Sequence, residues 1–378
     1  MSPDDRTDDM TPDAGAWDRL ADRILDYSVE LREGENLTVT LNSPEVYPLS
    51  RALADGAIRR GAHHHALLHT DELDEAIRRF GTDGQARQRL SLELAAMSWA
   101  DAHVALRGMV PPSDGVDDDD VRRRAALLRA AHGEVSAARW AETRWCVVRV
   151  PTPAYAKYLG RSPDSLLGDF LKGSVDDDGW SAWAGVPQAL DGSREVRILA
   201  DDTDLSFSVA GRTWVLFDGK KNLPDGEIAT APVESTVRGH ISFADPIVFA
   251  GQRIGSLALE FSDGRVTGVD AGPSTPFVET ILATDDGASR VGEFGIGLNR
   301  HITGWTQDLF FDEKIAGTTH IALGRAYPEC GGTNQSAIHW DIVKDLRPTA
   351  SRKPGAVHID GVPVVEGAEL LVPGSRKD

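Results

Sequence analysis

Residues 37–68, LTVTLNSPEVYPLSRALADGAIRRGAHHHALL, contain the alternation on which the fold turns. Leu37-Thr38-Val39-Thr40-Leu41 is β-branched enough to read as a strand. Ser43 stands where a helix cap belongs. Leu49, Leu53, Ala57 and Ile58 recur behind it at helical spacing, and Gly61 stops the pattern. A short apolar run, Ala66-Leu67-Leu68, follows. Upstream, Leu20, Ile24, Leu25 and Tyr27 repeat near helical spacing from Trp17 until Gly34 breaks the series. Downstream, strands at Ala102–Leu106 and Trp145–Val150 are separated by a helical stretch from Val121 to Ala138. Its acidic start and Arg-rich continuation suit the helix dipole. Such alternation predicts an α/β domain with a largely parallel sheet.

The texture changes after about residue 190. Glu195–Leu199, Asp204–Val209, Arg212–Phe217, Ile241–Val248 and Arg253–Phe261 are β-rich runs, and Ser262-Asp263-Gly264 is a turn leading into Val266–Val269. One helix, Thr275–Ala283, interrupts them. The reading is therefore a disordered acidic tail over 1–16, an N-terminal α/β domain over 17–185 and a C-terminal α+β metal-binding domain over 186–378.

The 378 residues carry 40 Lys+Arg against 59 Asp+Glu, a formal charge of −19 that repels polyanions, so nucleic acid is not an expected partner. No apolar run approaches the roughly 18–20 residues that span a bilayer, and the acidic N-terminus has no secretory pattern, so a cytoplasmic location is expected. Cys146 and Cys330 are too few for a disulfide framework and form no CxxC pair.

Chemistry concentrates between Gly292 and Asp341, where Glu293, His320, Tyr327, His339 and Asp341 offer oxygen and imidazole donors suited to divalent transition metals. In a strand, His339-Trp340-Asp341 points its outer two side chains to one face, where they can share a metal. Glycines recur through this stretch, among them Gly292, Gly295, Gly297, Gly317, Gly324, Gly331 and Gly332, and permit close backbone approach beside a site. A second acidic centre, Asn222-Leu223-Pro224-Asp225-Gly226-Glu227, reads by itself as a turn with solvated acids. Gly295-x-Gly297 lacks the third glycine and ribose-binding acid of a dinucleotide site. His63, His65 and His69 read as decoration of a strand end. Lys314, beside Asp312 and Glu313, is either a buried ion pair or a substrate-carbonyl contact, and Trp305 and Trp340 read as packing and pocket walls.

Several blocks resemble the metallo-aminopeptidase family typified by thermophilic aminopeptidase T and the staphylococcal aminopeptidase. They are Asn222-Leu223-Pro224-x-x-Glu227-Ile228-x-Thr230-Ala231-Pro232, Gly292-Glu293-x-Gly295-Ile296-Gly297-x-Asn299, the run from Phe311 to Gly324 around Asp312-Glu313-Lys314-Ile315 and His320, Tyr327-Pro328-Glu329, and Gly331-Gly332-x-Asn334-x-Ser336-Ala337-x-His339-Trp340-Asp341. Cys330 departs from the family's usual Thr, and the chain is somewhat shorter than typical members. The resemblance implies two divalent ions (Zn, Co, Mn or Mg) held by Glu227, Glu293, His320, Tyr327, His339 and Asp341. Glu227, Glu293 and Tyr327 are then the catalytic candidates, either glutamate serving as general base. It also implies release of N-terminal residues from short peptides by a homodimer. Two alternatives share the scaffold: a mononuclear non-haem iron dioxygenase of the dihydroxypyridine type, which requires a two-His-one-carboxylate triad, and a non-catalytic relative. Glu293, where the dioxygenase type has His, and Glu227 argue for the hydrolase.

Overall fold

The computed structural model describes residues 15–112, 118–175, 177–250 and 252–372. Most of the expected acidic tail therefore lies outside the described residues, and Ala16 already opens the first helix, Ala16–Arg23. Two compact units divide the chain: Met1–Val175 with Gly219–Pro224, and Asp176–Asp218 with Asp225–Asp378. The sequence reading placed a single cut between 185 and 186. The chain instead returns to the first unit, because Asn222–Leu223 pairs in parallel with Arg144–Val150.

The first unit is built on the expected parallel sheet. Its order is His63–Leu68, Asn36–Leu41, Ala102–Gly108, Arg144–Val150 and Asn222–Leu223. Leu37, Val39, Val104, Cys146 and Val148 are fully or almost fully buried in it, as the β-branched runs require. The helix Tyr47–Arg59 buries Leu49, Leu53 and Ala57. Ser43 does not cap it: a 3₁₀ turn over Pro44–Val46 intervenes, and the Ser43 hydroxyl turns to Glu45. The long helix Asp119–Glu142 is capped by Asp118, whose carboxylate accepts from the Asp120 and Val121 N–H groups at 2.8 and 3.2 Å. From Asn36–Leu41 the sheet grows first to one side and then to the other, which leaves a crevice at the carboxyl ends of those strands.

The second unit packs antiparallel sheets. Eight strands run in the order Arg265–Asp270, Leu257–Ser262, Arg238–Phe243, Thr203–Ser208, Glu195–Ala200, Ala356–Ile359, Val362–Glu366 and Glu369–Leu370. A five-stranded sheet runs His339–Asp345, Thr318–Gly324, Val291–Gly297, Glu227–Thr230 and Val215–Phe217. Two expected strands are each broken in two. Ile241–Val248 divides into Arg238–Phe243 and Ile247–Phe249 around Pro246, which has no N–H for a ladder, and Arg253–Phe261 divides at Gly255 into Gln252–Ile254 and Leu257–Ser262. Asp263 and Gly264, at φ +50° and +75°, make the two-residue turn the sequence announces. Phe294 of the five-stranded sheet meets Phe207 of the larger sheet at 5.1 Å and Trp214 at 6.1 Å between ring centroids. Removing so buried a ring typically costs about 3–5 kcal/mol.

Candidate metal centre

The five-stranded sheet presents a hydrophobic face and a chemical face, and the period of two decides which residue goes where. In Gly292-Glu293-Phe294-Gly295-Ile296-Gly297, Phe294 and Ile296 enter the core, so Glu293, Gly295 and Gly297 share the opposite face. The register pairs Gly297 with Glu227, Gly295 with His320, Ala322 with both Glu293 and Asp341, and Gly324 with His339. Directly paired residues point the same way, so Glu227, Glu293, His320, His339 and Asp341 converge from four strands. Small residues between them make the room. A Cβ on Gly295 would stand 2.1 Å from His320 Cε1, and one on Gly297 would stand 2.2 Å from the Ile315 carbonyl. That second gap admits the segment after the short helix Leu309–Asp312, which brings Glu313 and Lys314 to the cluster.

Two donor triads result. Glu227, Glu313 and His320 form one and Glu293, His339 and Asp341 the other, each with donor atoms within 4.8 Å of one another. Glu293 stands between them, its Oε1 3.8 Å from His320 Nε2 and its Oε2 3.2 Å from His339 Nε2. His339 Nε2 is also 3.3 Å from Asp341 Oδ1, and His320 Nε2 is 3.7 Å from Glu227 Oε2. Lys314 Nζ donates to Glu227 Oε1 at 2.5 Å and Glu313 Oε1 at 2.6 Å, with Asp225 Oδ1 at 3.7 Å. Of the two readings open for Lys314, the buried ion pair is the one observed. The half-buried Tyr327 ring lies tilted against that of His339, with centroids 5.0 Å apart. Trp340 points to the other face and stacks on Phe249 at 4.7 Å, so it is packing rather than pocket wall.

The electrostatics are those of a cation site. Three carboxylates, from Asp225, Glu227 and Glu313, gather about Lys314, and two more, Glu293 and Asp341, stand against His320 and His339. Burial, against the pull of Lys314, pushes Glu227 up to about 8 and also raises Glu313. Burial works against the protonated imidazoles, yet the surrounding carboxylates carry His320 up to about 9 and His339 up to about 11. Burial is outweighed by the imidazoles at Asp341, which falls to about 2, and at Glu293, which is also lowered. Burial and the neighbouring carboxylates hold the Tyr327 phenol well above its ordinary value. Cys330 is buried, its thiol pushed up to about 12 chiefly by burial, and takes no part in a donor triad.

Two details fit these residues to divalent ions. Glu227 Oε2 is buried without a hydrogen bond, an acceptor with its lone pairs unspent. His339 Nδ1 lies 2.7 Å from the Arg325 carbonyl, which can only accept, so Nδ1 keeps its proton, and when a cation displaces the other proton it is Nε2, facing Glu293 and Asp341, whose lone pair is freed. Glu313 is a donor that sequence reasoning missed as a ligand. Its one signal was adjacency to Lys314, whose charge a neighbouring carboxylate balances.

A family model described as thermophilic metalloprotease (M29) matches residues 15–358. Aminopeptidase 2 of Geobacillus stearothermophilus is 27% identical, with 86% of this chain and 91% of that protein covered. Aminopeptidase T of Thermus aquaticus is 27% identical, with coverages of 85% and 90%. Among solved structures, wild-type AmpT from Thermus thermophilus matches with a TM-score of 0.79 at 22% identity, covering 94% of this chain and 99% of that one. The 2,5-dihydroxypyridine dioxygenase from Pseudomonas putida KT2440 matches at 0.62 and 16% identity, covering 97% and 100%. At these identities the two structural matches establish a shared fold.

Proposed function

From the premise that the chain belongs to the thermophilic metalloprotease family M29, we propose that it is an aminopeptidase that removes N-terminal residues from short peptides at a dinuclear centre. The observation that carries the reading is the pair of adjoining donor triads, Glu227/Glu313/His320 and Glu293/His339/Asp341, five of whose six residues lie on one face of one sheet while Glu313 reaches over it from the segment after Leu309–Asp312. Glu293, placed between His320 and His339, would serve both triads in holding the ions, and Tyr327 would add a phenol oxygen beside His339. A pair of divalent ions, when bound, supplies Lewis acidity for the scissile carbonyl and for water. The residues do the rest. Lys314 holds Glu227 by Oε1 and leaves Oε2 without a hydrogen bond, so we assign Glu227 as the carboxylate that moves the proton from water to the leaving amine. Surplus carboxylate charge also favours a substrate that presents a protonated or metal-seeking α-amine.

The dioxygenase alternative requires two imidazoles and one carboxylate about one ion. Each triad here has one imidazole and two carboxylates, which supports the hydrolase. We further propose Zn, Co, Mn or Mg as the ions, a homodimer as the working form and the cytoplasm as its location. No described helix is long and apolar enough to cross a membrane.

The test is a panel of aminoacyl chromogenic substrates and short peptides assayed beside elemental analysis. Free-amine substrates are expected to turn over, N-acetylated ones to be inert, chelation to abolish activity, and divalent ions to restore it. Comparable cleavage of acetylated and free peptides, or full activity without metal, overturns the reading.

A further inference from the structure

We propose that His69, Asp74 and His132 form a divalent transition-metal site in the first unit, independent of the carboxylate cluster of the second. His69 follows the edge strand His63–Leu68, at the carboxyl edge of the parallel sheet. Thr70 caps the helix Asp71–Phe80, which sets Asp74 in its first turn, and His132 projects from the long helix Asp119–Glu142. Their donor atoms lie within 4.8 Å of one another. His69 Nε2 is 2.9 Å from Asp74 Oδ1, His132 Nε2 is 3.3 Å from Asp74 Oδ2, and the two rings meet edge to face at 4.9 Å.

The other nitrogen of His69 decides the chemistry. Nδ1 is 3.4 Å from Glu93 Oε1, so this imidazole lies between two carboxylates. A neutral imidazole has one N–H to give. Nε2 is within hydrogen-bond distance of Asp74 while Nδ1 only faces Glu93, so a cation that replaces the proton between Nε2 and Asp74 leaves the remaining N–H to turn toward Glu93. A carboxylate behind a liganding imidazole is the usual orienting arrangement in metal sites. Two imidazoles and one carboxylate suit Zn, Co or Ni better than Mg or Ca. Asp74 is buried while His69 and His132 are 32% and 39% exposed at their side chains, so an ion can enter and keep open positions. Those positions face a cavity of about 420 Å³ at the crevice where the sheet's growth changes direction, and the buried Arg139 also lines it.

The experiment titrates zinc into chelator-stripped full-length protein and counts zinc per chain after gel filtration. Replacing both imidazoles, His69→Asn with His132→Asn, is expected to remove one equivalent while kcat and KM on free-amine peptides stay unchanged. Glu93→Gln, which keeps all three ligands, is expected to weaken that equivalent by about 10–100-fold. Equal zinc content in wild type and double variant overturns the proposal. Should the double variant fail to fold, diethyl pyrocarbonate modification of the wild type mapped by mass spectrometry serves instead. Zinc, by occupying the nitrogens that the reagent attacks, is expected to slow modification of His69 and His132, and unchanged rates overturn the site. The difference of one equivalent is read whatever the second unit holds, so failure of the dinuclear reading leaves this test intact.

Discussion

Changing Glu227 to Gln keeps the shape of the side chain and removes the charge that the first triad needs to hold a cation. Turnover is expected to fall by about 10²–10⁴-fold, the usual worth of a positioned proton carrier, and metal per chain at that centre is expected to drop from two toward one. Asp341→Asn, in the other triad, damages activity under either a dinuclear or a mononuclear reading, so the two variants together discriminate where one does not. Near-wild-type hydrolysis with two ions bound to Glu227→Gln would reduce Glu227 to a buried partner of Lys314 with no part in holding an ion. Lys314 makes a separate prediction. It is fully buried and bonded to Glu227 and Glu313. Lys314→Met leaves both carboxylates buried without their cation, a loss of about 3–5 kcal/mol, to be read as a lower melting temperature of the metal-free protein. An unchanged melting temperature would show that these carboxylates do not depend on Lys314.

At the level of the strand, the site is legible wherever period-two patterning sets direction. His339-x-Asp341 and Glu293-x-Gly295-x-Gly297 each place alternate residues on one face, and the register brings the faces together. The parallel sheet was legible for the same reason, from runs such as Leu37–Leu41. Glu313 and the His69/Asp74/His132 cluster were not, because no periodicity links residues that only the chain's crossings join. Strand breaks at Pro246 and Gly255 were also missed: the apolar pattern continues through them while the hydrogen-bond ladder does not. Glycine gives the element its clearest test. Gly295 has no left-handed φ, so alanine suits its backbone, yet its Cβ would stand 2.1 Å from His320 Cε1. Gly295→Ala is expected to retain the fold while displacing the imidazole. Activity is expected to fall by about 10²-fold, the cost of misplacing a catalytic group by an ångström. Unaltered activity and metal content would mean that His320 has no fixed station over this glycine.

Over the whole molecule, the formal charge of −19 makes protons and metal ions alternative answers to the same excess of carboxylate. In the metal-free chain Glu227 stands above its ordinary value at about 8, raised chiefly by burial, and so do His320 at about 9 and His339 at about 11, where carboxylates overcome burial. A raised value means that the folded state holds its proton more tightly than the unfolded one. The stability these groups contribute is complete below their ordinary values of 4.5 and 6.5 and is lost as pH rises through 8, 9 and 11. Asp341, depressed to about 2 by His339 against burial, works at the other end: its contribution is present above 3.8 and lost as pH falls through 2. Metal-free protein should therefore be most stable in mild acid. Divalent ions compete with those same protons, so their stabilisation grows as pH rises. The melting temperature of metal-loaded protein minus that of chelator-treated protein is accordingly expected to be small near pH 5 and to widen steadily toward pH 9, measured at fixed ion concentration. A gap that stays constant or narrows over that range would mean that the ions are not held by Glu227, His320 and His339, whatever else in the chain they bind.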